Sequence, residues 1–272
     1  MFEDQYPEDH DGFGHARGVS SIERMLWSRL IGLLTIVMLA IWLAPNAHAQ
    51  HFAGIAIGRS QTPNFFDAGA RYAFPDLATG GGDCCTLTHA TDGSARALRL
   101  WMGTRFDNHW GLEASVANLG RFDSSFDTSG AFLTALQRPG VQSGRCVESG
   151  RFRFSDVTFA GSYEFRAAWG LSVVPKLGVS GVMVAITTQS HCDFLYTDGS
   201  TASIDKPQDL QRFAFVPVAG LGLRWKIREG LSLSIDVEQR DHILVADSAE
   251  ARERDRGRVR LTTAWAGIER RW

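Results

Sequence analysis

The stretch Leu261–Trp272, LTTAWAGIERRW, alternates in character residue by residue and finishes on an aromatic side chain. Chain ends in soluble sheets usually fray. A strand running to the last residue suits a barrel, in which the final strand closes against the first and leaves no open edge. The expectation is therefore a closed all-β barrel.

The same period of two recurs upstream. Over 94–106, Leu98, Leu100, Met102, Thr104 and Phe106 share one face, and Arg99, Trp101, Gly103 and Arg105 the other. Over 211–227, Phe213, Phe215, Ala219, Leu221, Leu223 and Trp225 oppose Arg212, Gly220, Gly222, Arg224 and Lys226. Over 231–241, Leu231, Leu233, Ile235 and Val237 oppose Ser232, Ser234, Asp236, Glu238 and Arg240. A soluble sandwich would turn the apolar face inward and a membrane barrel would turn it to lipid. Alternation by itself does not choose between them.

Three short polar turns ending in Gly-Leu punctuate the pattern, at 106–112, 165–171 and 227–231. Between them lie long polar stretches, 60–93, 123–152, 188–210 and 242–257, which read as loops. Short turns at one end and long loops at the other are the asymmetry of outer-membrane barrels. Eight antiparallel, up-and-down strands fit, at 51–59, 94–106, 111–122, 153–165, 171–187, 211–227, 231–241 and 258–272. Eight strands give a lumen filled by side chains rather than an open pore.

The N-terminal region reads separately. Residues 1–24 form a polar, acidic leader, read as an extension upstream of a start at Met25. Residues 25–49 carry Arg29, the apolar run Leu30–Leu43 and Ala47-His48-Ala49, the pattern of a secretory signal peptide cleaved after Ala49. A retained signal anchor is the alternative, but the run is shorter than the ~20 residues a spanning helix needs. The barrel then occupies 50–272. Removing residues 1–49 takes away three of 28 basic and six of 30 acidic residues, leaving 25 against 24, a net charge of +1. No basic excess remains to favour nucleic acid.

Cys84, Cys85, Cys146 and Cys192 all lie in the exported part, so disulfides are expected. Of three connectivities, the two in which Cys84 and Cys85 each reach one of Cys146 and Cys192 are favoured, because adjacent cysteines pair only through a strained peptide. A disulfide-tied cap of loops would follow. Zinc-ligand spacing is absent, and no metal or cofactor is expected. Trp110, Trp169, Trp225 and Trp272 recur at the turn end, the placement of a periplasmic aromatic girdle.

On these segments the chain resembles the OmpA-like family of eight-stranded outer-membrane barrels. The resemblance is carried by HFAGIAIG (51–58), LRLWMGTRFDNHWGLEASVANLG (98–120), VVPKLGV (173–179), LSLSIDVEQRD (231–241) and the last strand. It implies an outer-membrane location, contact with outer-membrane lipid and recognition of the C-terminal strand by the barrel-assembly machinery. Arg270 departs from the apolar or aromatic residue usual at that place, and no peptidoglycan-binding domain follows. The resemblance also implies lumenal roles for Glu113, Lys176 and Glu238. The polar faces of the strands add Asp236, Arg99, Arg105, Arg212 and Arg224, and buried charges of both signs must pair.

These residues read as a salt-bridged plug, with a gated pore as the alternative. An enzymatic reading would rest on His242, Asp241 and Ser248, but no serine shares the histidine's face two residues away, so no enzyme is expected. The expected role is structural or interactional: envelope integrity, adhesion, or binding of an unknown surface ligand by the loops. A narrow channel or transporter is the second reading, and a lipid A-modifying enzyme the third.

Overall fold

The computed structural model describes residues 49–62, 85–91, 93–130, 141–244 and 258–272. The stretches read as a leader and a signal peptide, up to residue 48, together with Cys84, Ser248 and the side chains of Cys85 and His242, lie outside the described residues. The strands are β1 (Ala49–Gln61), β2 (Cys85–Thr91), β3 (Ser94–Phe106), β4 (Trp110–Gly130), β5 (Val141–Tyr163), β6 (Phe165–Arg166), β7 (Leu171–Tyr196), β8 (Thr201–Arg228), β9 (Leu231–Leu244) and β10 (Arg258–Arg271). Eight of them close a ring in the order β1-β3-β4-β5-β7-β8-β9-β10. β2 pairs with the far end of β4, and β6 is a two-residue bridge on β7.

Closure lies between the first and last strands. β1 and β10 pair from Phe52↔Arg271 to Gln61↔Thr262. His51 N–H donates to Trp272 O at 3.2 Å and Trp272 N–H to His51 O at 3.1 Å, so the ladder continues to the final residue. Both edges of the sheet are thereby used.

The three turns predicted at one end are present. One follows β3, with His109 at φ 70, and one joins β8 to β9 through Gly230 at φ 70. The third passes through the 3-10 turn Ala168–Gly170, where Trp169 and Gly170 both have positive φ.

The opposite end corrects the expectation. Two stretches read as loops, 123–152 and 188–210, are mostly strand. β4 and β5 remain paired as far as Gly130↔Gly144, and β7 and β8 as far as Leu195↔Thr201. β7 and β8 have 26 and 28 residues, where ~9–11 cross a bilayer, so their far ends project well beyond the membrane. No lipid-facing apolar alternation is required there, which is why these strands read as polar loops. On the other side of β8 the ladder to β9 reaches only Val218↔Arg240 among the described residues.

Burial decides the sense of the alternation. Ile57, Leu100, Val116, Leu177, Val179, Phe215, Leu221 and Ile235 are exposed on the outside, Ile57 and Leu177 by 70% and 72%. Arg99, Arg224, Asp236, Glu238, Arg240 and Glu269 are buried inside. The apolar face points outward, the inverse of a soluble sandwich.

A bulge interrupts β4. Its register against β5 shifts between Asn118 and Gly120, and Gly120 has φ 104. Leu119 and Gly120 are both buried, so the side chains facing outward change from even to odd numbers, and Arg121 points out.

Candidate functional site in the barrel lumen

The lumen is built in two tiers. The tier nearer the turns is charged. Arg105 Nη1 lies 2.8 Å from Glu164, which also meets Arg271 at 3.3 Å. Arg271 Nε reaches Glu269 at 2.7 Å, and Arg224 Nε reaches the same carboxylate at 3.2 Å. Arg224 Nη1 continues to Asp236 at 3.0 Å, and Lys176 Nζ stands 3.0 Å from both Asp236 and Glu113. Arg99 binds Glu113 and, at 2.6 Å, Glu238. Arg240 links Glu238, at 3.1 Å, to Asp156, at 2.6 Å.

The chain of contacts joins six cations (Arg99, Arg105, Lys176, Arg224, Arg240, Arg271) to six anions (Glu113, Asp156, Glu164, Asp236, Glu238, Glu269). Charge neutrality with every member paired is what makes burial at this depth tolerable. Neutral donors add to some of these carboxylates, while Asp156 Oδ1 accepts no hydrogen bond among the described residues. Trp265 Nε1 donates to Glu238 at 3.2 Å, and Thr158 and Ser180 hydroxyls donate to Asp156 at 2.9 and 2.7 Å. Trp101 and Trp265 offer their ring faces to Arg99, whose Cζ lies 5.3 and 5.9 Å from the centroids.

Two glycines leave room for these side chains. A Cβ at Gly222 would collide with the Asp236 carboxylate and with Arg224 Nη1, and a Cβ at Gly54 would enter the Trp101 ring.

The six residues singled out from sequence, Glu113, Lys176, Glu238, Asp236, Arg99 and Arg224, all belong to this chain. Arg105 and Arg240, placed on the polar face by the alternation, belong to it too. Asp156, Glu164, Glu269 and Arg271 were missed. Their signal was the same alternation, in Phe154/Asp156/Thr158 and Trp265/Gly267/Glu269/Arg271. Arg212 is half-buried at the other end of the lumen, outside this chain of ion pairs.

The second tier was not anticipated. Beyond the Arg240–Asp156 pair the lumen is apolar, filled by Leu119, Phe122, Phe154, Val182, Val184, Val216, Ile243 and Leu261. Phe122 and Phe154 meet edge to face at 5.6 Å. The salt-bridged plug thus fills only the half of the lumen nearer the turns: inward positions in the other half of the strands carry mainly branched and aromatic side chains.

Two cavities are present among the described residues. The one at the turn end, about 380 Å³, is bordered by Arg166, Lys226, Arg228 and Arg271. A second, about 560 Å³, lies away from the turns against the outer side of the extended β4, β5 and β7, bordered by Asp123, Arg151, Thr187 and Gln189.

The cysteine expectation is corrected. Cys146 and Cys192 are bonded to each other rather than to Cys84 and Cys85. They face one another directly across β5 and β7. What reads as two loop cysteines is one cross-strand staple, because the loops expected there are paired strands. Trp110, Trp169, Trp225 and Trp272 stand at the turn end and are 55%, 96%, 58% and 49% exposed. Among the described residues no group of His, Cys, Asp or Glu side chains is placed to hold a metal ion.

An eight-stranded closed barrel with an apolar outer band, a polar lumen and short turns at one end defines an integral outer-membrane β-barrel. No protein-family model matches the chain, and no curated protein matches it. Among solved structures it is similar to Ail, the attachment invasion locus protein of Yersinia pestis. The two are 14% identical over 83% of this chain and 99% of that one, with a TM-score of 0.38. It is similar also to the outer membrane protein OprG from Pseudomonas aeruginosa, at 13% over 83% and 96%, TM-score 0.37. Neisserial surface protein A gives 11% over 84% and 98%, TM-score 0.34.

Proposed function

We propose that this barrel is a closed, non-catalytic scaffold that holds an extracellular sheet up to a surface ligand and contributes to envelope integrity. One observation carries the reading: β4, β5, β7 and β8 continue as paired strands far past the apolar band, stapled by Cys146–Cys192. Order maintained outside the membrane by a covalent cross-link presents a fixed surface rather than a mobile loop. The two filled tiers beneath it favour a support over a conduit. In this reading Trp110, Trp169, Trp225 and Trp272 anchor the periplasmic interface, and β10 is the segment the barrel-assembly machinery recognises.

The test uses outer-membrane vesicles carrying the protein, applied to an array of surface glycans and matrix proteins. A variant in which residues 188–206 are replaced by a two-residue turn should keep heat-modifiable gel mobility and lose array binding. Equal binding by the shortened variant overturns the reading.

A second reading, passage of small apolar molecules, is favoured by the apolar tier beside the incomplete β8–β9 ladder. It requires faster uptake of a small hydrocarbon by vesicles containing the protein than by empty ones. Ionic conductance should be negligible for the native protein and for Glu113→Ala and Lys176→Ala alike.

A further inference from the structure

The outer wall carries a row of arginines that the lumen network does not involve. Arg59 on β1 is directly opposite Arg96 on β3, and Arg121 on β4 is directly opposite Arg153 on β5. Leu98↔Asn118 sets β3 against β4, and the Gly120 bulge then brings Arg121 to the level of Arg96. The four therefore lie side by side on four adjacent strands, all exposed on the outside. Arg151 stands one outward step further out.

Like charges directly opposite one another in a sheet are destabilising. Among the described residues little compensates them. Asp123 serves both Arg121, at 2.9 Å, and Arg151, at 3.2 Å. Arg59 donates to the Ser94 hydroxyl at 2.6 Å. Arg96 and Arg153 have no ion pair among the described residues. Among the described residues, five guanidinium groups thus share one carboxylate. On the next strand round, β10, by contrast, Arg260 has its own partner, Asp241 on β9, at 2.6 Å.

Height identifies what completes the row. Arg59 and Arg96 are one outward step beyond Ile57 and Leu98, the last members of the apolar band on those strands. One step is two residues, roughly 6.6 Å along the strand. The row therefore lies at the hydrocarbon boundary of the leaflet on the side away from the turns, where lipid headgroups begin. Planar guanidinium forks suit phosphate oxygens.

We propose that Arg59, Arg96, Arg121 and Arg153 form a binding site for the phosphate groups of an anionic outer-leaflet lipid, with the β4 bulge turning Arg121 into the row. The inference rests on the orientation of the barrel in the membrane and is independent of what the extracellular sheet binds.

The test reconstitutes the full protein into phosphatidylcholine nanodiscs doped with diphosphorylated lipid A or with lipid A stripped of phosphate. Lipid A retained per barrel after detergent extraction is then counted by native mass spectrometry. The native protein should retain the phosphorylated lipid and release the stripped one. Arg96→Gln with Arg153→Gln should lower retention at least about tenfold, the scale of one charge-assisted hydrogen bond. Arg145→Gln, whose partner Asp127 lies further out, should retain the lipid as the native protein does. Equal retention of the two lipids by the native protein overturns the proposal. So does undiminished retention by a double variant that still migrates as a folded barrel.

Discussion

Arg240 donates from Nε to Asp156 Oδ2 over 2.6 Å, and neither side chain is reached by solvent. This pair is the last charged layer before the lumen turns apolar. Asp156→Leu alone leaves the buried Arg240 guanidinium with Glu238 but without its shorter ion pair, a loss of up to about 3–5 kcal/mol. Asp156→Leu combined with Arg240→Met should recover most of that. Urea titration followed by the shift between folded and unfolded gel bands measures both, and a double variant no more stable than the single one would contradict the pairing.

Gly222 is a spacing residue rather than a turn residue. Gly222→Val should push Asp236 off Arg224 and cost about 1–3 kcal/mol, as overpacking does. The same urea titration, compared with Gly93→Val at an open position with no positive φ, isolates the steric contribution.

Outward positions should report their depth. Ile235→Arg, in the middle of the apolar band on β9, should cost about 2–4 kcal/mol, while arginine near an interface costs little. Arg270 faces outward two residues from Trp272, at the periplasmic rim. Arg270→Leu should therefore leave stability nearly unchanged. Refolding into lipid vesicles at graded urea concentrations compares the two.

The Cys146–Cys192 staple predicts that a non-reducing digest yields these two cysteines in one cross-linked peptide. Cys146→Ser with Cys192→Ser should leave the barrel heat-modifiable and speed proteolysis of the extracellular ends of β5 and β7. Cleavage rates on intact cells check this.

His191, on the extracellular part of β7, lies between two carboxylates. The hydrogen bond to Asp205, at 2.8 Å, and the nearby charge of Asp193 raise its pKa above the ordinary 6.5. Stabilisation from the imidazolium is thus complete below pH 6.5 and is lost as pH rises through the elevated folded value. Histidine ring shifts followed by NMR should show a late midpoint that falls back in Asp205→Asn. A midpoint unchanged by that substitution would remove Asp205 as the cause.

The barrel itself was legible because a spanning strand must obey a strict rule. Leu98, Leu100 and Met102 against Arg99, Trp101 and Arg105 could be sorted by counting in twos, and the six lumenal charges followed. That rule lapses outside the membrane. Residues such as Ser190, Cys192 and Ser203 face water or a polar sheet on both sides, so nothing in their order distinguishes a strand from a loop. The cysteine pairing failed for the same reason: it depended on register between β5 and β7. Nor could counting place the apolar tier, since an inward Val184 or Val216 looks like an outward residue until the pleat is fixed.

That tier has a consequence for how the molecule holds together. Phe122, Phe154, Val184 and Leu261 gather side chains from β4, β5, β7 and β10, as the centre of a water-soluble domain would. The protein therefore answers to two solvents at once. Lipid drives the lower wall into place from outside, and water drives the upper strands together from within. Bilayer thickness should govern only the lower of the two, so the outer-facing half can keep its shape when the membrane around it thins or changes composition.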